Sequence, residues 1–250
     1  MYTRITRPFR IAVILGIAGV FSILGFGADA QRTVAPGITE PVDDSTLSTP
    51  VAGIIQVRRF KEGDEVKKGD VLVALDHRLE ELDVQRRKLV MEQARRELDA
   101  TRILFEKNTD VAKAELEKRQ LEFDVARAEH ELSAEQLARR SIAAPFDGSI
   151  AEFFLNIGEA CQIQQPLLRI VNTRHCRFIS NVDAKAGRAL KIGQAVDLEI
   201  DSSQTPLRLK GQIIFVSPVV DPASGLLKVK VVFDNLDGAI RPGVAGKLLF

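Results

Sequence analysis

Three histidines, two cysteines and two methionines are the side chains of this 250-residue chain best suited to holding a metal or carrying a reaction. His77, His130 and His175 stand far apart, and only His175 and Cys176 are neighbours. No HxxxH or CxxC spacing brings two ligands onto one helix face or turn, so no zinc site is expected. Met1 and Met91 leave no thioether cluster for copper. Glu80 and Glu81 are adjacent carboxylates, but they lie in a charge-rich stretch whose acids face solvent rather than a shielded cleft. There is no Ser/His/Asp arrangement and no phosphate-cradling glycine loop. The expectation is therefore no catalytic residue, no cofactor and no resident metal: not an enzyme. With no Trp, with Tyr2 as the single Tyr and with a net charge of +1, nucleic acid is not an expected partner either.

The N-terminus carries a different kind of signal. Arg4, Arg7 and Arg10 precede residues 11–27, an uncharged and mostly apolar run. Ala28-Asp29-Ala30 then has the small-x-small form of a cleavage site, so residues 1–30 read as a signal peptide cut after Ala30. At 17 residues the run also reaches the short limit for a retained membrane anchor. Either way the arginines stay cytoplasmic and the rest is exported to the periplasm. Two cysteines in an oxidising compartment permit a disulfide without requiring one, and two separately buried thiols is the simpler expectation.

The elements behind these residues follow from a repeat. Residues 50–75 and 145–170 are one motif written twice, 95 positions apart. Pro50, Gly53, Ile55, Gly63, Asp64, Val66, Leu72 and Leu75 return as Pro145, Gly148, Ile150, Gly158, Glu159, Cys161, Leu167 and Ile170. Short apolar runs between glycines, with a Lys67-Lys68-Gly69-Asp70 turn, read as strands. One such half buries little, so the two halves are expected to pair as a flattened sandwich, with Cys161 facing its core in the place of Val66.

Residues 77–140, between the copies, contain neither glycine nor proline. Apolar positions at Leu79, Leu82, Leu89, Ala94 and Leu98 have helical spacing, and Asp76 can cap the start. Leu121, Val125, Ala128 and Leu132 step by four, three and four, the spacing of a coiled-coil seam. Asn108-Thr109-Asp110 is the one turn signal, and Thr109 or Asp110 can cap the returning helix. Two antiparallel helices are expected. After residue 171 the pattern alternates, as in Val196-x-Leu198-x-Ile200 and Leu227-x-Val229-x-Val231-x-Phe233. A short helix is expected near residues 183–190, and a small closed barrel overall.

These residues resemble a known family. Pro50 to Gly53 and Gly63 to Leu72, with Ala144 to Gly148, Gly158 and Gln165-Pro166-Leu167, look like the two halves of a biotinyl/lipoyl domain. The intervening hairpin, and the barrel with Val220-Asp221-Pro222-Ala223-Ser224-Gly225 and Arg241-Pro242-Gly243, are similar to the periplasmic adaptors, or membrane fusion proteins, of the HlyD family. The resemblance implies an elongated multi-module α+β protein: a lipoyl-like β-sandwich split by a long antiparallel α-helical hairpin, followed by a small β-barrel. Its expected parts are a signal peptide (1–30), an extended lead-in (31–49), the lipoyl-like domain (50–76 with 141–171), the hairpin (77–140) and the barrel (172–250).

It further implies a non-enzymatic adaptor for efflux or secretion. Such an adaptor joins an inner-membrane transporter (RND, ABC or MFS class) to an outer-membrane channel of the TolC type, as a ring of about six copies. The hairpin tip, Phe105, Glu106, Lys107, Asn108, Thr109 and Asp110, is the expected partner-binding segment. Two features depart from the family's pattern. The chain stops at the barrel's apparent end, where many RND-pump adaptors continue into a membrane-proximal domain. The R-x3-L-x6-S pattern of RND-type tips is also not kept, since Thr101 and Ala112 take the Arg and Ser places. A covalent carrier is the rival reading, but the turn that would hold the modified lysine is replaced by the hairpin. A ring-forming scaffold without transport is the other.

Overall fold

Both copies of the repeat contribute strands to the same two sheets. The structure, a computed structural model, describes residues 33–107, 112–201 and 206–250, and Thr33–Phe250 form one compact unit. Export run 11–27 and cleavage residues Ala28 and Ala30 lie outside the described residues, as do Asn108, Thr109 and Asp110 at the hairpin tip.

In chain order the described strands are β1 (Val34–Pro41), β2 (Asp44–Ser48), β3 (Gly53–Arg58), β4 (Glu65–Val66) and β5 (Val71–Leu75). Helices α1 (Arg78–Glu106) and α2 (Lys113–Ala138) follow, then β6 (Ser141–Ala143), β7 (Gly148–Phe153), β8 (Ala160–Cys161) and β9 (Pro166–Val171). Last come β10 (His175–Asp183), α3 (Ala184–Gly187), β11 (Ala195–Ile200), β12 (Leu207–Val216), β13 (Leu226–Asp234) and β14 (Ala245–Leu249).

One sandwich sheet has the order β2-β9-β7-β4 and the other β6-β5-β3-β8. Copy one therefore lies beside copy two in each: β4 pairs with β7 and β3 with β8, while β6, just before the second copy, pairs with β5. The landmark pairs Ile55/Ile150, Leu72/Leu167 and Leu75/Ile170 are each at most 2% exposed and share one core with Cys161. Burying each such side chain contributes about 1.5–3 kcal/mol. Gly63 and Gly158, equivalent in the repeat, both adopt φ of 89°, a left-handed turn that favours glycine. Gly69 (φ 91°) and its counterpart Gln164 (φ 64°) also turn left-handed, so the backbone keeps the motif where the residue type has changed.

Strands β1-β10-β13-β12-β11-β14 close into a barrel around Phe178, Leu198, Ile200, Ile213, Val231 and Leu248. Here the expected lead-in is corrected. Its described part is extended but is not an appendage: β1 closes the barrel between β10 and β14, and β2 forms an edge of the sandwich beside β9. The alternation that marks this is buried Ala35 and Thr39 in β1, too polar and too interrupted by Pro36 and Gly37 to read as a strand from sequence. The short helix is confirmed, with Asp183 as its cap accepting from Lys185 and Ala186 N–H. At α1 the cap differs from expectation. His77 holds the N-cap position, and Asp76 Oδ1 instead accepts from Arg78 N–H at 3.3 Å. At α2 the N-cap position is Ala112, with no side-chain cap, and Thr109 and Asp110 lie outside the described residues.

Candidate functional site

The helical pair offers two faces, and their chemistry is the reverse of the sequence expectation. Leu121, Val125 and Leu132, taken from spacing as the seam, are 65%, 50% and 60% exposed. The buried positions of α2 are Ala126 and Ser133, and that of α1 is Leu98. Half-buried residues extend these into two heptad rows: Val84, Arg87, Met91, Ala94 and Thr101 on α1, and Leu116, Arg119, Phe123, His130 and Leu137 on α2. The true seam is thus mixed, with small residues at its centre. Ala and Ser let the helices approach closely, while charged side chains close its sides. Arg87 pairs with Glu129, Arg119 with Glu97 at 3.1 Å, and Arg140 with Glu80 at 2.5 Å, each between the two arms. Hydrogen bonding to Glu122 raises the Arg119 guanidinium above its ordinary value.

Hydrophobicity alone pointed to the wrong row because the larger apolar residues lie outside. Exposed Leu82 and Leu89 on α1 complement Leu121, Val125 and Leu132 on α2. The signal that marks the real seam is paired opposite charge across the arms, which single-helix i,i+4 spacing conceals.

The hairpin is fixed to the sandwich at its root. Arg140 donates to the Ala52 carbonyl at 2.9 Å as well as to Glu80, and a Cβ on Gly53 would meet Arg140 Nη1 at 2.9 Å. His77 is held by the Leu75 carbonyl at 2.7 Å and by Glu81. Of the expected tip residues, Phe105, Glu106 and Lys107 are exposed at the end of α1, where Lys107 N–H donates to the Ile103 carbonyl at 3.2 Å.

The other end of the sandwich meets the barrel through two adjacent chain passages, bonded by Val42 N–H to the His175 carbonyl and by Asn172 N–H to the Asp43 carbonyl. Arg169 clamps Asp44 with two bonds of 2.8 and 2.5 Å, and this holds the Asp44 carboxyl below its usual range. Arg174 reaches Glu65 at 2.8 Å. Clefts of about 260 and 430 Å³ flank this joint, and both are lined by Thr173. Cys161 and Cys176 are free thiols buried in separate cores, as expected, and burial pushes the Cys176 thiol up. His175 bonds Asp234 at 2.9 Å.

Residues 44–173, both sandwich halves with the hairpin between them, match the family model described as the barrel-sandwich hybrid domain of RND membrane fusion proteins. The chain belongs to this membrane fusion protein family. Relatives agree with the assignment. A Pseudomonas putida protein named as the probable efflux pump periplasmic linker SepA is 26% identical over 278 residues, spanning 96% of this chain and 72% of that one. A Haemophilus influenzae protein is 27% identical over 81% of the chain, and nodulation protein NolF of Rhizobium meliloti is 24% identical over 83%. The chain spans only 52% and 60% of the length of those two relatives.

Among solved structures, a MacA-MexA chimera carrying the Pseudomonas aeruginosa MexA α-hairpin domain superposes with a TM-score of 0.76, covering 87% of this chain and 80% of the chimera at 20% identity. The membrane fusion protein Spr0693 of Streptococcus pneumoniae does so with a TM-score of 0.67 at 16% identity, covering 86% and 97%. At these identities the likeness concerns the fold, which is the expected one: split sandwich, helical hairpin and closed barrel.

Proposed function

We propose that this membrane fusion protein is a periplasmic adaptor of an efflux system, exported by residues 1–30. It would join an inner-membrane transporter on its barrel side to an outer-membrane channel of the TolC type at its hairpin tip. The observation that carries this reading is the outward apolar row on a hairpin rooted in a split sandwich. Leu121, Val125 and Leu132 serve no purpose within one copy, and an exposed apolar row of this length marks an interface. Packed against Leu82 and Leu89 of a neighbouring copy, the row would build a tube of hairpins, with about six copies around a passive conduit. The match to an RND family model favours an RND-class transporter. Phe105, Glu106 and Lys107, with residues 108–110, are the channel-facing segment in this scheme.

The test is photo-cross-linking in cells from Glu106 at the tip and from Leu236 on an exposed barrel loop. Tip adducts with an outer-membrane channel and barrel adducts with an inner-membrane transporter are expected. If neither position yields a membrane-protein adduct, the adaptor assignment is wrong.

A further inference from the structure

The larger cleft beside the joint opens between the barrel and the sandwich. It lies at the Pro41 end of β1, so at the end of the barrel opposite Thr33 and Phe250. Its volume of about 430 Å³ is in the range that encloses a small molecule. Much of its wall is apolar. Ile38 and Pro41 of β1 line it from the barrel, and Ala151 of β7 and Val171 of β9 from the sandwich. Ile38 is left 46% exposed.

Four charged side chains also line the cleft, two of each sign: Glu40, Asp44, Arg169 and Arg177. Equal charge is not equal hydrogen bonding. Arg169 gives two bonds to Asp44, so that pair is complete. Arg177 carries the five N–H donors of a guanidinium, and no hydrogen bond engages it among the described residues. Its Nε is buried without a partner, and Glu40 Oε2 stands 3.6 Å away, too far for a hydrogen bond. Arginines at the other module contacts are placed differently: Arg140 and Arg174 hydrogen-bond carboxylates at 2.5 and 2.8 Å. The Arg177 side chain keeps 31% of its surface exposed. A guanidinium with open donors beside an apolar wall suits a ligand that joins a carboxylate to an apolar body. Glu40 opposes such a ligand by like charge, which fixes the sign of one test.

We infer that this cleft binds a small amphipathic carboxylate, with the carboxylate on Arg177 and the apolar body against Ile38, Pro41, Ala151 and Val171. The site rests on the chemistry of the cleft itself, and it holds whether or not the chain joins a transporter to a channel.

Decanoate below its micelle-forming concentration is the probe, and residues 31–250, which hold both hydrophobic cores, are the protein. Calorimetric titration should show saturable binding of one decanoate per chain. Decyltrimethylammonium, of equal chain length and opposite charge, should bind about tenfold more weakly or less. Arg177→Gln should weaken decanoate binding by about tenfold or more, through loss of a charge-assisted hydrogen bond. Ile38→Asn should weaken it by about threefold or more through loss of apolar contact, at a position outside the barrel core. Glu40→Gln should strengthen it by about twofold or more, because a like charge is removed. Thermal melts check that each variant is folded. The absence of saturable decanoate binding overturns the inference, as does equal affinity for the cationic amphiphile, which is apolar adsorption alone. Parent-like affinity in folded Arg177→Gln or folded Ile38→Asn also overturns it. Should Arg177→Gln fail to fold, Glu40→Gln decides in its place, and unchanged or weaker binding there overturns the inference.

Discussion

At the scale of single residues, the repeat glycines and the Asp44 carboxylate hold the sandwich strands together. A Cβ on Gly148 would fall 2.5 Å from the Val171 carbonyl, a backbone atom that cannot swing aside. Gly148→Ala should cost about 1–3 kcal/mol in urea unfolding, the range for overpacking in a tight core. Gln164 holds a left-handed turn that its counterpart Gly69 adopts without a Cβ. Gln164→Gly should therefore stabilise the sandwich by up to about 1 kcal/mol, and a loss of stability would show that the Gln side chain contributes more than its strain. Asp44 carries a pH dependence. Its carboxyl is more acidic when folded, chiefly through the Arg169 hydrogen bonds, so its contribution is present above the ordinary carboxyl value near ~3.9 and fades as pH falls through the lower folded one. Asp44→Asn should lower stability at about pH 7 and leave it little changed at about pH 2. An equal loss at both would assign the effect to packing instead.

At the scale of elements, the hairpin shows where sequence reading succeeds and where it stops. The helices themselves were legible from the absence of Gly and Pro and from i,i+4 charge pairs. The sandwich was legible because a repeat restates its landmarks, and Ile55/Ile150 and Leu72/Leu167 bury as spacing implies. The seam was not legible. Spacing identifies an apolar row but not what covers it, and here the largest apolar row faces outward while Ala126, Ser133 and Leu98 meet within. Strand β1 was missed for a related reason, since a barrel strand built on Ala35 and Thr39 has little hydrophobic contrast. The corrected geometry changes the expected mutant behaviour. Leu98→Ala should cost about 2–4 kcal/mol in thermal or urea unfolding. In the isolated copy, Leu121→Asp and Leu132→Asp should leave helical content and melting within about 0.5 kcal/mol of the parent, because within one copy both side chains stand in solvent. Val125→Pro should break α2 at a cost of about 3 kcal/mol or more.

At the scale of the whole molecule, the modules divide the work. The sandwich is the root, fixed to the hairpin by Arg140, Glu80 and the Ala52 carbonyl, and joined to the barrel through the Val42–His175 and Asn172–Asp43 backbone bonds and the Glu65–Arg174 pair. The central proposition is that the outward apolar row meets another copy of the chain. Cysteine cross-linking in cells tests it most directly, and the native thiols interfere little because Cys161 and Cys176 are buried. Leu121→Cys combined with Leu89→Cys should give adducts between copies that extend into a ladder, whereas Ala126→Cys, inside the seam, should give none. Monomer alone from the Leu89/Leu121 pair, or copy-to-copy adducts from Ala126 instead, would contradict the assembly proposed for this hairpin.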